Sequence, residues 1–160
     1  MGTGKTSVAK ILARRLKLEL ADMDDILEKK EGMSIREVFE TKGEPYFRTC
    51  EKDLVAQLSS RKGYVVACGG GAFADADNRR RMKESGLVFC LTSSPETILK
   101  RTRKNQERPL LNVADPAAQV RDLLKKREAC YAEAHYRIDC DRLSVEDSAE
   151  AVLKILRNHE

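Results

Sequence analysis

The chain opens Met1-Gly2-Thr3-Gly4-Lys5-Thr6, and the reading of this stretch decides the fold. It matches the second half of a phosphate-binding loop, G-x-x-x-x-G-K-[ST], with Gly4, Lys5 and Thr6 at specified positions. The leading Gly of the pattern would fall two residues before Met1, and the strand that should feed the loop is absent. Beyond Thr6, Val8, Ile11, Leu12 and Leu16 recur at helical spacing, which predicts a helix over residues 5–16 with one apolar face. That helix is the context the motif needs. A helix N-terminus presents unpaired backbone N–H groups and the positive end of a dipole. Glycines let such a backbone close around phosphate oxygens. Lys5 would neutralise the β- and γ-phosphates, and the Thr6 hydroxyl would reach Mg²⁺.

Outward from the loop, strands alternate with helices. Leu18–Ala21 is a short strand candidate ending at Asp22-Met23-Asp24, and Asp24 is placed to cap a helix over 25–30 that Gly32 stops. Ser34-Ile35-Arg36-Glu37 is a capping box opening a helix through Thr41, and a longer helix runs from Glu44 to Ser60. Tyr64–Cys68 reads as a fully buried strand, followed by Gly69-Gly70-Gly71 and a helix over 75–84. Leu87–Leu91 is the next buried strand. Ser94-Pro95 and Asp115-Pro116 each pair an N-cap with a first-turn Pro, opening helices to Lys104 and Ala132. Tyr136–Cys140 is a last strand, and residues 146–157 form a closing helix. The alternation predicts an α/β fold, a parallel sheet with helices on both faces, in one domain over 1–160. Four strands are visible, and a fifth is expected ahead of Met1.

Composition narrows the function. Net charge is +4 with 35% charged residues, which fits a solvated surface and an anionic small substrate. With no Trp and 5% aromatic residues, the chain lacks the stacking platforms that single-stranded nucleic acid requires, so no nucleic-acid partner is expected. No apolar run approaches the ~18 residues that span a bilayer, and no signal peptide opens the sequence. Five Cys at 50, 68, 90, 130 and 140, with no C-x-x-C, read as small buried hydrophobes in a reducing cytoplasm.

Three further groups carry chemistry. Asp22 and Asp24 close a strand, and in extended geometry both would point the same way. Ligands of open α/β sheets bind at strand carboxyl ends, where such a pair can hold a metal-bound water and accept a proton. The residues alone leave the opposite reading equally open, with Asp24 an N-cap and Asp22 a turn residue. Gly69-Gly70-Gly71 permits close backbone approach to a ligand, or a flexible turn. Arg48, Arg108 and Arg127 suit bidentate recognition of carboxylate or phosphate, although each taken alone reads as a solvated surface charge.

Taken together and in order, G-T-G-K-T, D-M-D, G-E-P-Y-F-R, G-G-G, R-P-L-L and K-R-E-A-C-Y resemble shikimate kinase, firmly to Tyr131 and loosely beyond. The resemblance implies a three-layer P-loop kinase fold and transfer of the γ-phosphate of ATP to the 3-hydroxyl of shikimate. It implies that Gly2, Thr3, Gly4, Lys5, Thr6 and Ser7 hold ATP, and that Thr6 ligates Mg²⁺, with Asp22 reaching the ion through water. Asp24 would meet the acceptor hydroxyl as base. Arg48 and Arg127 would clamp the carboxylate, with Glu51 steadying Arg48. Gly69, Gly70 and Gly71 would line the substrate, with Gly70 and Gly71 offering backbone donors. Phe39 and Phe47 would wall its ring. Arg101 would lie against adenine. Arg108, on a lid over about 105–115, would close over the transferring phosphoryl group, with the shikimate-binding region over about 24–60. A cytoplasmic monomer is expected. Where the family has Pro-Leu-Tyr, this chain has Ala129-Cys130-Tyr131. The strand absent ahead of Met1 is expected at the middle of the sheet, so the chain as written is expected to be marginal or inactive. Two rival readings are another small P-loop kinase, such as a gluconate kinase, and a non-catalytic nucleotide-binding remnant.

Overall fold

Helix α1 (Lys5–Leu16) begins after Gly4, left-handed at φ 82°, and ends on Lys17, left-handed at φ 54°. The Lys17 and Leu18 N–H groups fold back onto carbonyls of the last turn, closing the helix and releasing the chain into β1 (Glu19–Asp22). Helix α2 (Met23–Glu31) follows without a linker and stops at Gly32, φ 69°. The capping box of Ser34 and Glu37 opens α3 (Ile35–Lys42), and Pro45 sits in the first turn of α4 (Glu44–Ser59). The remaining elements are β2 (Tyr64–Ala67), α5 (Gly70–Ala74), α6 (Ala76–Ser85), β3 (Phe89–Thr92), α7 (Pro95–Thr102), α8 (Pro116–Ala132), β4 (Tyr136–Asp139) and α9 (Val145–Arg157). The computed structural model describes residues 2–102 and 113–159.

The elements expected from the sequence form, with shifts of one or two residues at their ends. Three expectations change. The cap of α2 is Asp22, whose Oδ1 accepts from the N–H groups of Asp24 at 3.1 Å and Asp25 at 3.4 Å. Asp24 is therefore helical, and the two-residue strand alternation does not reach it. The triple glycine is no flexible turn: Gly69 caps α5, which begins at Gly70. Burial of Ala72 and Phe73 outweighs the poor helix propensity of glycine. Neither expected buried strand is fully buried: Val66 of β2 is 42% exposed, β3 is half-buried throughout, and Leu87 just ahead of it is 44% exposed.

That exposure comes from the sheet. All pairing is parallel, but the strands form two ribbons rather than one sheet. In one, Glu19 lies opposite Tyr64 and Asp22 opposite Ala67; in the other, Phe89 lies opposite Tyr136 and Thr92 opposite Asp139. Between β2 and β3 lies an apolar cleft of about 500 Å³, lined also by Val8 and Leu12 of α1 and Val152 of α9. Leu16, Leu18, Val66 and Leu87 all face this cleft and are 36–44% exposed. The described residues supply no strand there.

Two apolar clusters hold the layers. Met23, Leu27, Val38, Phe47 and Leu54 lock α2, α3 and α4 into one wall. Val8, Leu12, Ile138, Val152 and Leu153 bind α1 and α9 to β4. At roughly 1.5–3 kcal/mol per buried large side chain, these clusters hold the helices that carry the site. All five cysteines are free thiols, Cys50 and Cys140 fully buried.

Candidate active site

The N-terminus of α1 and the carboxyl ends of β1 and β2 meet in a cleft of about 670 Å³. It is the larger of the two clefts described here, and the expected site residues among those described gather in it.

One end is built by residues 2–7. No side chain caps α1, so its first N–H groups are left for a ligand. Gly2, φ 59°, packs the loop onto α7: a Cβ there would lie 2.9 Å from Thr102 Cγ2 and 3.2 Å from the Ile98 carbonyl. Thr3 is buried, and its Oγ1 has no hydrogen-bond partner among the described residues. A buried hydroxyl in that state costs about 1–3 kcal/mol until a partner arrives. Lys5, Thr6 and Ser7 line the cleft beside it. Burial pushes the Cys68 thiol up to about 11, while the Lys5 ammonium pulls it the other way, so Cys68 stays a neutral thiol. Arg101 lines the same end near Leu143 and Val145. Its guanidinium donates to the Cys140 carbonyl at 3.0 Å, Ser93 Oγ at 3.4 Å and the Gly2 carbonyl at 3.5 Å, which braces the loop.

The middle is set by Asp22 and Asp24. Thr6 Oγ1 donates to Asp22 Oδ2 at 2.6 Å, while Oδ1 of the same carboxylate caps α2. Asp22 is thus held rigidly at the strand end. Asp24, one residue into α2, is exposed and lines the cleft, and its charge raises both Glu51 and Cys68.

The far end gathers Arg48, Glu51, Arg127 and the triple glycine. The Arg48 guanidinium covers Gly71, where a Cβ would lie 2.4 Å from Nη1. Its Nε and Nη2 donate to Glu44 Oε1 at 3.1 and 2.9 Å, and its Nη1 donates to Glu51 Oε2. Burial works against the Arg48 charge, but Glu51 and Glu44 together hold the guanidinium above its ordinary value. Burial pushes the Glu51 carboxyl up, and the Arg48 charge beside it opposes that rise. Phe39 and Phe47 pack as a tilted pair, ring centres 4.8 Å apart at 48°, on the wall of the cleft. Arg127 enters from α8, its Nη1 3.6 Å from a Cβ built on Gly70.

The structure therefore brings together Gly2 through Ser7, Asp22, Asp24, Phe39, Phe47, Arg48, Glu51, Gly69 through Gly71, Arg101 and Arg127. Arg108, with residues 105–112 of the expected lid, lies outside the described residues. Sequence reasoning does not single out Leu143, Ser144 and Val145 as cleft lining. The signal available for them is the S-x-x-D capping box at Ser144, which marks the chain's return to the loop. Glu44 is likewise unmarked, an ordinary acidic residue in a first turn.

Comparison with known proteins follows the same lines. A family model described as "Shikimate kinase" matches residues 1–157. A curated "Shikimate kinase" of Geobacter sulfurreducens is 42% identical over 160 residues, covering 100% of this chain and 88% of the relative. The structure titled "Shikimate kinase from Acinetobacter baumannii in complex with shikimate" superposes with a TM-score of 0.96 at 41% identity, covering 100% of this chain and 90% of that one. A gluconokinase structure from Sinorhizobium meliloti reaches a TM-score of 0.59 at 16% identity, over 99% of this chain and 90% of that one, which is a likeness of fold alone.

Proposed function

The chain belongs to the shikimate kinase family, and from that premise we propose that it transfers the γ-phosphate of ATP to the 3-hydroxyl of shikimate, releasing ADP. One observation carries this reading. A phosphate cradle with its lysine, the carboxylate of Asp24 and a separate arginine pair over a triple glycine line one and the same cleft. A triphosphate and a small carboxylate-bearing alcohol fit that lining.

Each residue then has a task. The α1 N–H groups and Lys5 hold the phosphates and neutralise charge as it shifts toward the leaving oxygen. Arg48, braced by Glu44 and Glu51, and Arg127 bind the substrate carboxylate and so fix the ring. Phe39 and Phe47 wall the ring, and the first N–H groups of α5, from Gly70 and Gly71, offer donors. Asp24 accepts the proton of the acceptor hydroxyl as the new P–O bond forms. Arg101 braces the loop and flanks the base. On this reading Arg108 acts on the transferring phosphoryl group. Phosphoryl transfer asks mainly for position and charge neutralisation, which these groups supply.

The Thr6 hydroxyl and Asp22 carboxylate, already hydrogen bonded at 2.6 Å, form a hard oxygen pair of the kind that holds Mg²⁺ beside substrate phosphates. When bound, that ion would supply charge neutralisation between the phosphates. Five free thiols fit a reducing compartment such as the cytoplasm, and no helix among the described residues is long and apolar enough to cross a membrane. We take a monomer as the working form.

The test is a coupled ADP-release assay with shikimate against gluconate. ADP release with shikimate and background release with gluconate is expected. The reverse selectivity would establish the rival kinase, and nucleotide binding without turnover on either alcohol would establish a non-catalytic remnant.

A further inference from the structure

The two arginines at the substrate end are held differently. Arg48 has two carboxylate partners, Glu44 and Glu51. Arg127 comes from α8, and its guanidinium lies within electrostatic reach of Glu51 and of the Tyr131 hydroxyl.

Arg127 and Tyr131 are one helical turn apart on α8 and share a face. Both side chains come to rest on Gly70. A Cβ built there would lie 2.0 Å from Tyr131 Oη, 3.1 Å from Tyr131 Cζ and 3.6 Å from Arg127 Nη1. Gly70 is not left-handed, so its lack of a side chain answers to space rather than backbone freedom. The phenol fills the volume a side chain would take. Burial pushes the Tyr131 hydroxyl above its ordinary value, and Arg127 pulls it back both as a charge and as a hydrogen-bond partner. The hydroxyl is therefore neutral, and it shares the space over Gly70 with the Arg127 guanidinium. Arg79 pairs with Glu133 at 3.0 Å beside this contact and holds the end of α8 against α6.

We propose that Tyr131 is the positioning residue for Arg127: its hydroxyl orients the guanidinium, and its ring, seated on Gly70, sets the gap between α8 and the triple glycine into which the substrate carboxylate fits. This rests on the reading that Arg127 binds that carboxylate.

Steady-state kinetics on the full chain test both, with Arg127→Ala, Tyr131→Phe and the double variant. Arg127→Ala is expected to raise the shikimate KM about 10–100-fold, the loss of one charged hydrogen-bonding partner. Tyr131→Phe keeps the ring and is expected to raise it about 3–10-fold, the loss of one ordinary hydrogen bond, with kcat and the ATP KM unchanged. The double variant should be no worse than Arg127→Ala alone. If Arg127→Ala raises the shikimate KM and Tyr131→Phe does not, the positioning role is overturned and the clamp stands. If Arg127→Ala has no effect, the clamp reading itself fails. If Tyr131→Phe lowers kcat and raises both KM values alike, its role is structural and the proposal is overturned. Should Tyr131→Phe not fold, NMR of the unmodified chain labelled at tyrosine Cζ decides: shikimate should shift the Tyr131 resonance, and an unmoved resonance overturns the proposal.

Discussion

Asp24 shows what a single position can and cannot disclose. Its residue type is legible as a proton acceptor, but its geometry is not, because the sequence reads equally well with Asp24 as the cap of the helix and Asp22 as a turn residue. Pairing of Asp22 with Ala67 ends β1 at Asp22 and hands it the cap, which leaves Asp24 facing the cleft. Asp24→Asn keeps the shape and removes the base. A general base contributes about 10²–10⁴-fold, so kcat should fall by that order while the ATP KM holds. An unchanged kcat in steady-state assays would take Asp24 out of the mechanism. Gly71 makes the complementary case. A methyl group there would sit 2.4 Å from Arg48 Nη1 and must displace the guanidinium from Glu51. Gly71→Ala should weaken shikimate binding about tenfold or more, the order of one charged hydrogen bond. Calorimetry showing native affinity would contradict that placement.

At the scale of elements, the capping signals were the most legible. Ser34 and Glu37 form the reciprocal box their spacing announces, and Ser144 and Asp147 form another. Helix α3 carries Phe39 to the substrate end, so its anchorage matters for the site. Ser34→Ala should cost about 1 kcal/mol, a fall in Tm of about 2–4 °C for a domain of this size. A Tm unchanged in calorimetry would mean that packing of Val38 alone holds the helix. Helix α5 was the least legible. Two glycines at its start argue against a helix locally, and only the burial of Phe73 and the side chains resting on Gly70 and Gly71 make it one.

At the scale of the whole molecule, an apolar cleft separates β2 from β3. Facing strand edges are unpaired across it, and Leu16, Leu18, Val66 and Leu87 are left in contact with water. Exposed edges and apolar patches of this kind favour association. The chain is therefore expected to bind a hydrophobic dye such as ANS in its native state and to unfold at low denaturant. A native state that binds no dye would show that the cleft closes by itself in solution.

What the sequence determined alone is the order of the elements other than α5, the caps other than that of α2, and the chemistry of each candidate group, because helical periodicity, capping spacing and residue type are local properties of the chain. What only tertiary structure decided is which groups meet. Glu44 and Tyr131 join the site, Asp22 takes the cap from Asp24, and the sheet divides into two ribbons, since each outcome depends on distances between residues far apart in the chain and on the space left between packed layers.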